Sequence, residues 1–246
     1  MKKHELILGK HDIGNESLEI VLENFKSLEP LFTLVNLSRK TFGFFNKTIT
    51  RCYEYPFIVK EIGGISGKRV LDIGTGLSPL PLFLAEQGAS VVTVDNSTIV
   101  RSIDQTKENW DGWGYFDYGE LSDNIISYNE DIFSINLSSD SLDCIYSVSV
   151  IEHLPVATRR SMWPIITELL IKKGTLLLTM DLVPNTYSLW NYCQGEIVDS
   201  VDAHGDIEVI KEEIDIAGLT INDCNYLRNL PDSKVDVVLL SITKNC

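Results

Sequence analysis

Val70-Leu71-Asp72-Ile73-Gly74-Thr75-Gly76-Leu77-Ser78-Pro79 is the stretch on which the reading of this chain turns. A short apolar run passes through two glycines into a second apolar stretch over residues 80–87, so a strand leads at once into a helix. Glycines in such a loop let backbone amides approach a ligand closely, and the helix N-terminus favours negative charge. Ser78 suits the N-cap and Pro79 the first helical turn, although Ser78 stands where many such loops carry a third glycine. A tight strand-to-helix turn with no ligand satisfies the same ten residues, so the context on either side has to decide.

Downstream, short apolar runs alternate with helical stretches. Strands are expected over residues 69–73, 90–94, 125–128, 142–146 and 175–180, and helices over 80–87, 98–110 and 158–171. The strands are apolar at nearly every position, which predicts a parallel sheet covered on both faces. After a helix over 207–217, strands over 219–227 and 234–243 flank the turn Leu230-Pro231-Asp232-Ser233 and predict a terminal hairpin. Upstream, Leu18, Val21, Leu22, Phe25 and Leu28 fall on one face of a helix over 16–29, ended by Pro30. Two more helices are expected over 31–46 and 48–62, before Gly63, Gly64 and Gly67 break the pattern. The chain thus divides into a helical extension, 1–66, and an α/β domain, 67–246.

The 246 residues carry 21 Lys and Arg against 35 Asp and Glu, a net charge of −14. Residues 1–66 hold 9 basic and 8 acidic groups, so the remaining 12 and 27 make the α/β part strongly acidic. That balance argues against a nucleic-acid partner, which needs a basic surface. No stretch reaches the ~20 apolar residues that span a bilayer, and no signal-peptide pattern opens the chain, so no membrane contact and a cytoplasmic location are expected. Cys52, Cys144, Cys193, Cys224 and Cys246 are scattered without a Cys-x-x-Cys pair, which fits reduced thiols rather than disulfides or a zinc site.

Two further carboxylates sit at the ends of expected strands. Asp95 lies 19 residues after Gly76, where a carboxylate accepts hydrogen bonds from both ribose hydroxyls. Asp131 follows the third strand in Asn129-Glu130-Asp131-Ile132-Phe133, placed to take the amino group of an adenine while its apolar neighbour packs on the ring. Taken singly, Asp131 reads more readily as a solvated turn residue. Three polar features at the carboxyl ends of three consecutive parallel strands mark the edge where open α/β sheets bind ligands.

At this point the sequence resembles the class I S-adenosylmethionine-dependent methyltransferases, of the bacterial small-molecule and saccharide type, over roughly residues 50–243. The matching segments are Val70 to Gly76, Val94-Asp95, Glu130-Asp131, Ser149-Val150-Ile151-Glu152-His153-Leu154, and Lys173-Gly174-Thr175 leading into the fifth strand. The resemblance implies a Rossmann-like, seven-stranded, mostly parallel sheet with an antiparallel terminal hairpin, and S-adenosylmethionine as cofactor. It places Gly74 and Gly76 against the methionine portion, Asp72 at its amino group, Asp95 at the ribose and Asp131 at the adenine. Asn96, Ile132 and Ser147 complete the implied cofactor-facing set. Arg51, in Arg51-Cys52-Tyr53-Glu54-Tyr55-Pro56-Phe57, is an apt partner for the cofactor's carboxylate, since a guanidinium matches that group with two parallel bonds; a surface salt bridge is the alternative.

Methyl transfer from a sulfonium is an in-line displacement on an activated electrophile, so alignment supplies much of the rate and a base is optional. His153, which titrates near neutrality at the ligand edge, is the candidate acid–base residue, or else part of the pocket wall. A metal site from Glu152, His153, His204 and Asp181 is a weaker reading, and no metal is expected. The long connection over 181–206 carries Tyr187 and Trp190 as candidate substrate-facing aromatics, and Trp110-Asp111-Gly112-Trp113-Gly114-Tyr115-Phe116 forms a second aromatic cluster. The expected activity is methyl transfer to a hydroxyl or amine of a small-molecule, saccharide or natural-product intermediate. A NAD-dependent oxidoreductase would also use Gly74, Gly76 and Asp95, but the missing third glycine, Asp131 and the terminal hairpin argue against it. A cofactor-binding protein without catalysis is the third reading.

Overall fold

The structure, a computed structural model, describes residues 6–7, 22, 29–45, 48–102, 114–190, 192–193, 196–197 and 204–245. Most of the helices expected over 16–29 and 98–110, and Trp110 to Trp113, lie outside the described residues. Seven strands form one sheet: β1 (Arg69–Ile73), β2 (Ser90–Val94), β3 (Ile125–Tyr128), β4 (Leu142–Val148), β5 (Leu170–Leu182), β6 (Leu219–Leu227) and β7 (Asp236–Lys244). Their spatial order is β6-β7-β5-β4-β1-β2-β3. β7 runs antiparallel to both β5 and β6, and the pairings among β1 to β5 are parallel. This is the Rossmann-like sheet with a terminal antiparallel hairpin that the family resemblance implies; the alternating apolar runs predict its parallel part.

Side chains alternate across the sheet with period two, and each face buries a separate core. On one face Val70, Val91, Cys144, Tyr146 and Leu177 pack under helices α1 (Leu31–Phe42), α2 (Arg51–Ile62) and α3 (Leu80–Glu86). On the other, Leu71, Ile73, Ile145, Leu176 and Leu178 meet α4 (Val156–Leu169) and α5 (Ile207–Ile216). Arg159 on α4 and Glu213 on α5 form a buried two-point ion pair, at 3.0 and 3.2 Å, to which the Trp163 indole also donates.

Several boundaries differ from the expectation for local reasons. α1 stops at Phe42 rather than residue 46 because Gly43 takes the left-handed conformation (φ 83°) and its N–H returns to the Arg39 carbonyl. The helix expected from 48 begins at Arg51, after a turn over 48–50. α4 ends at Leu169, and β5 starts at Leu170, five residues early; Lys173 (φ 63°) and Gly174 absorb the register shift against β4. In place of a helix from residue 98, Val100–Arg101 is a short strand paired in parallel with Tyr115–Phe116. The β-branched run Thr98-Ile99-Val100 favours that extended backbone.

Candidate active site

The carboxyl ends of β1, β2, β4 and β5 open on a cavity of about 550 Å³. Its floor is the glycine loop after β1. Gly74 has φ 74°, and a Cβ there would come within 2.5 Å of Val150 Cγ2, so no other residue fits without moving the opposite wall. The loop is held from two sides. The Gly76 N–H donates to Asp95 Oδ2 at 2.8 Å, and the Ser97 N–H to Asp95 Oδ1 at 2.9 Å. Each carboxylate oxygen keeps a lone pair for a further donor on the cavity side.

From the other side the Tyr118 hydroxyl accepts the Ser78 N–H at 2.7 Å and lies 2.9 Å from the Gly76 and Ser78 carbonyls. Tyr118 is wholly buried, and burial raises its pKa well above the ordinary tyrosine value, so it remains a hydroxyl. The residue standing where a third glycine is common therefore has its backbone capped by a side chain 40 positions away. The helix begins one residue later than Ser78 implies, but the Ser78 hydroxyl still accepts the Leu80 N–H.

Asp72 lines the cavity at the end of β1, is 2% exposed, and its Oδ2 has no hydrogen-bond partner among the described residues. Burial pushes its carboxyl up to about 8, the neighbouring buried Tyr146 hydroxyl opposing that rise and the Asp95 charge adding to it. An orphaned buried carboxylate oxygen beside a glycine floor is the arrangement an ammonium group completes.

Arg51 also reaches the cavity, from α2, but it is not a surface ion pair. It is paired with fully buried Glu54, and its Nη1 donates to the Ser149 hydroxyl at 2.7 Å. Thr179 Oγ1 donates to Glu54 Oε1 at 2.6 Å. Burial opposes the charge on Glu54, yet Arg51 and the Thr179 and Ser149 hydroxyls hold its carboxyl below the ordinary range. Among the described residues nothing accepts from Arg51 Nε or Nη2, which face the cavity as donors for a ligand.

Asp181, near the end of β5, faces the same cavity with its Oδ1 3.3 Å from the Ser149 hydroxyl. Burial, then the Glu54 charge, raise its carboxyl to about 7, against the lowering effect of Arg51. Behind it, the buried Glu152 accepts the Asp181 N–H at 2.9 Å; burial and the Asp181 charge raise the Glu152 carboxyl well above its usual value.

The structure brings Arg51, Asp72, Gly74, Gly76, Asp95, Asn96, His153 and Trp190 to one cavity wall. Trp190 arrives because the chain after β5 doubles back, its N–H donating to the Asp181 carbonyl at 2.8 Å. Asp131 stands at the end of β3, outside the cavity lining, with Asn96 Nδ2 donating to it at 3.1 Å; Ile132 is buried beside it. Ser147 is fully buried and donates to the Ile73 carbonyl at 2.8 Å, behind the cavity wall. Tyr187 is 55% exposed and packs on Arg228 and Tyr226 rather than on the cavity. His204 touches the Glu152 carbonyl, and no group of three His, Cys, Asp or Glu with metal-binding geometry occurs among the described residues. Cys52, Cys144 and Cys224 are free thiols. Among the described residues no helix is long and apolar enough to cross a membrane.

Glu54, Ser149, Thr179 and Tyr118 were not foreseen from the sequence. Glu54 does carry a signal: Arg51, Glu54, Tyr55, Ile58 and Ile62 share one helical face, and a charged pair on an otherwise apolar face points to a buried network. Tyr118 has no local signal.

A glycine loop after β1, a carboxylate on β1 and another after β2, and a terminal antiparallel strand make a Rossmann-like fold with a cavity at the carboxyl edge of its sheet. The profile of a methyltransferase-domain family matches residues 48–191, more than half of the chain, and this chain belongs to that family. The matched region is a methyltransferase domain. The ubiquinone biosynthesis O-methyltransferase of Pasteurella multocida (strain Pm70) is 26% identical over 100 residues, 40% of this chain and 41% of that relative, so the likeness spans less than half of its length. An S-adenosylmethionine-dependent methyltransferase from Mesorhizobium loti shares the fold at a TM-score of 0.56 with 15% identity, over 78% of this chain and 97% of that one. So does the 1,6-didemethyltoxoflavin-N1-methyltransferase of Burkholderia thailandensis, solved with 1,6-didemethyltoxoflavin and S-adenosylhomocysteine, at 0.56 with 13% identity over 96% and 92%.

Proposed function

We propose that this methyltransferase moves the methyl group of S-adenosylmethionine to a hydroxyl or an amine of a small molecule, a saccharide or natural-product intermediate among them. The observation that carries this reading is the division of the cavity. One half, over β1 and β2, has the groups a cofactor needs: the Gly74 and Gly76 backbone, the orphaned Asp72 carboxylate for an ammonium, Asp95 for ribose hydroxyls and the free Arg51 donors for a carboxylate. The other half, over β4 and β5, offers His153, Asp181 and the Trp190 ring. Those side chains suit a proton-bearing nucleophile on a small organic body.

In this reading Asp131, with Asn96 beside it, takes the adenine amino group at the β3 end, Ile132 supports the ring position, and Ser147 steadies the β1 terminus through Ile73. Tyr187 holds the doubled-back segment against the hairpin, and so acts on the acceptor side through Trp190. When bound, the sulfonium supplies an already activated methyl group; the chain aligns the nucleophile with it and keeps water out.

Calorimetric titration tests the cofactor assignment: tight binding of S-adenosylhomocysteine and negligible binding of NAD are expected, and the reverse would sink it. Methyl-labelled S-adenosylmethionine mixed with a pooled metabolite extract is then expected to give a labelled small molecule. Label found instead only in protein or nucleic acid overturns the acceptor class.

A further inference from the structure

The cofactor contacts proposed above use Arg51, Asp72 and Asp95 and leave the carboxylate of Asp181 without a task. Asp181 lies on β5, two strands from β1 in the order β5-β4-β1, whereas Asp95 and Asp131 lie on the opposite side, at β2 and β3. A cofactor laid from the glycine loop towards Asp131 therefore leaves the β4–β5 half of the cavity for the acceptor, with Asp181 on its wall.

The charges around this group come from every element packed against it. α2 supplies Arg51 and Glu54, which cancel each other. The connection after β4 supplies Ser149, at 3.3 Å, with His153 and Glu152, the last with its carboxyl raised by burial and the Asp181 charge. His204, ahead of α5, contacts Glu152 through its backbone carbonyl, and β7 opposes Asp181 with apolar Val237. Among the described residues, Asp181 is thus the carboxylate of this half that faces the cavity without a direct ion pair; Arg51 acts on it only across the Ser149 hydroxyl and is itself paired with Glu54. With a cofactor of net charge +1 in place, Asp72, Asp95 and Asp181 still leave the site anionic. With its carboxyl at about 7, raised by burial and then by the Glu54 charge, Asp181 is largely ionised at pH 8 and meets an ammonium as an ion pair, which an alcohol cannot form and an anion would oppose.

We propose that Asp181 recognises the methyl acceptor as a protonated amine and takes its proton, so that the acceptor class is a small amine rather than an alcohol or an anion. This rests on the methyltransferase reading of the same cavity. One proton passes from the ammonium nitrogen to Asp181 Oδ, and the freed lone pair forms the new N–C bond. The electron pair of the broken C–S bond stays on sulfur, so charge and protons balance. His153 then forms wall rather than base, and Trp190 offers its ring face to the cation.

Sinefungin, the cofactor analogue with a primary amine where S-adenosylmethionine has its methylsulfonium, probes this wall without needing the natural acceptor. By calorimetry at pH 8 the native full-length protein is expected to bind sinefungin about tenfold more tightly than S-adenosylhomocysteine. Asp181→Asn and Asp181→Ser should each bring that ratio to about one, with S-adenosylhomocysteine affinity unchanged within about twofold. An unchanged ratio in both variants, or no preference in the native protein, overturns the role of Asp181 while S-adenosylhomocysteine binding leaves the methyltransferase reading standing. Failure of the native protein to bind S-adenosylhomocysteine would sink both. With ¹³C-methyl cofactor and a metabolite extract, an N-methyl resonance in the product supports the amine class, and an O-methyl resonance overturns it.

Discussion

At the scale of single residues, Asp72 ties protonation to ligand binding. In the free protein its carboxyl titrates at about 8, because burial and then the charge on Asp95 disfavour the anion. A cofactor ammonium needs that anion. Affinity for S-adenosylhomocysteine is therefore expected to rise between pH 6 and 8, by up to tenfold per unit, and to level off above. The sign for stability is the opposite. Between the unfolded value near 3.8 and about 8 the folded chain holds a proton that the unfolded chain has released, so the unbound protein loses stability as pH rises through that window. Asp72→Asn should flatten the pH dependence of binding in calorimetry and weaken affinity about 10- to 100-fold. A variant that keeps the native pH slope would remove Asp72 from the ammonium site.

Among the elements, the glycine loop after β1 and the short 3₁₀ helix Tyr118–Glu120 act as one unit, because the Tyr118 hydroxyl satisfies the Ser78 N–H and lies against two loop carbonyls. Tyr118→Phe leaves those buried groups unpaired, at a cost of about 1–3 kcal/mol, and frees the loop that the cofactor must find already shaped. S-adenosylhomocysteine binding is expected to weaken about fivefold or more, through a faster off-rate in stopped-flow measurements. Native affinity in this variant would show that the loop needs no brace. Such a contact explains where sequence reading stops. β1, β2 and β3 were legible to the residue because each is a short apolar run bounded by polar or glycine positions, β6 because Gly218 and the turn Leu230-Pro231-Asp232-Ser233 bracket it, and Gly74, Gly76 and Asp95 follow from their offsets to β1. The early start of β5 was hidden because Lys172-Lys173-Gly174 reads as a loop, while the backbone bulges there without leaving the sheet. Tyr118, Glu54 and Thr179 meet the site across 40 to 125 positions, and no local pattern encodes a partner that distant.

For the whole molecule, the expected boundary at residue 66 marks a change in sequence rhythm, but the core runs across it. Leu34, Val35, Phe45 and Ile58 from the front section are at most 2% exposed and share a cluster with Val70, Val91, Tyr146 and Leu177 of the sheet. At roughly 1.5–3 kcal/mol for each fully buried apolar side chain, these four contribute about 6–12 kcal/mol, as much as the entire net stability of an ordinary domain. The same section supplies Arg51 and Glu54; without them Thr179 and Ser149 lose their buried acceptor, and Asp181 its nearest cation. Its near-neutral charge also brings the acidic α/β part a guanidinium at the cavity. A fragment comprising residues 67–246 is therefore expected to lack a fixed near-ultraviolet circular dichroism signal and a cooperative urea transition, and to bind no S-adenosylhomocysteine, while the full chain shows all three. If that fragment folds cooperatively and binds S-adenosylhomocysteine within about tenfold of the full chain, residues 1–66 are an appendage rather than one wall of the active site.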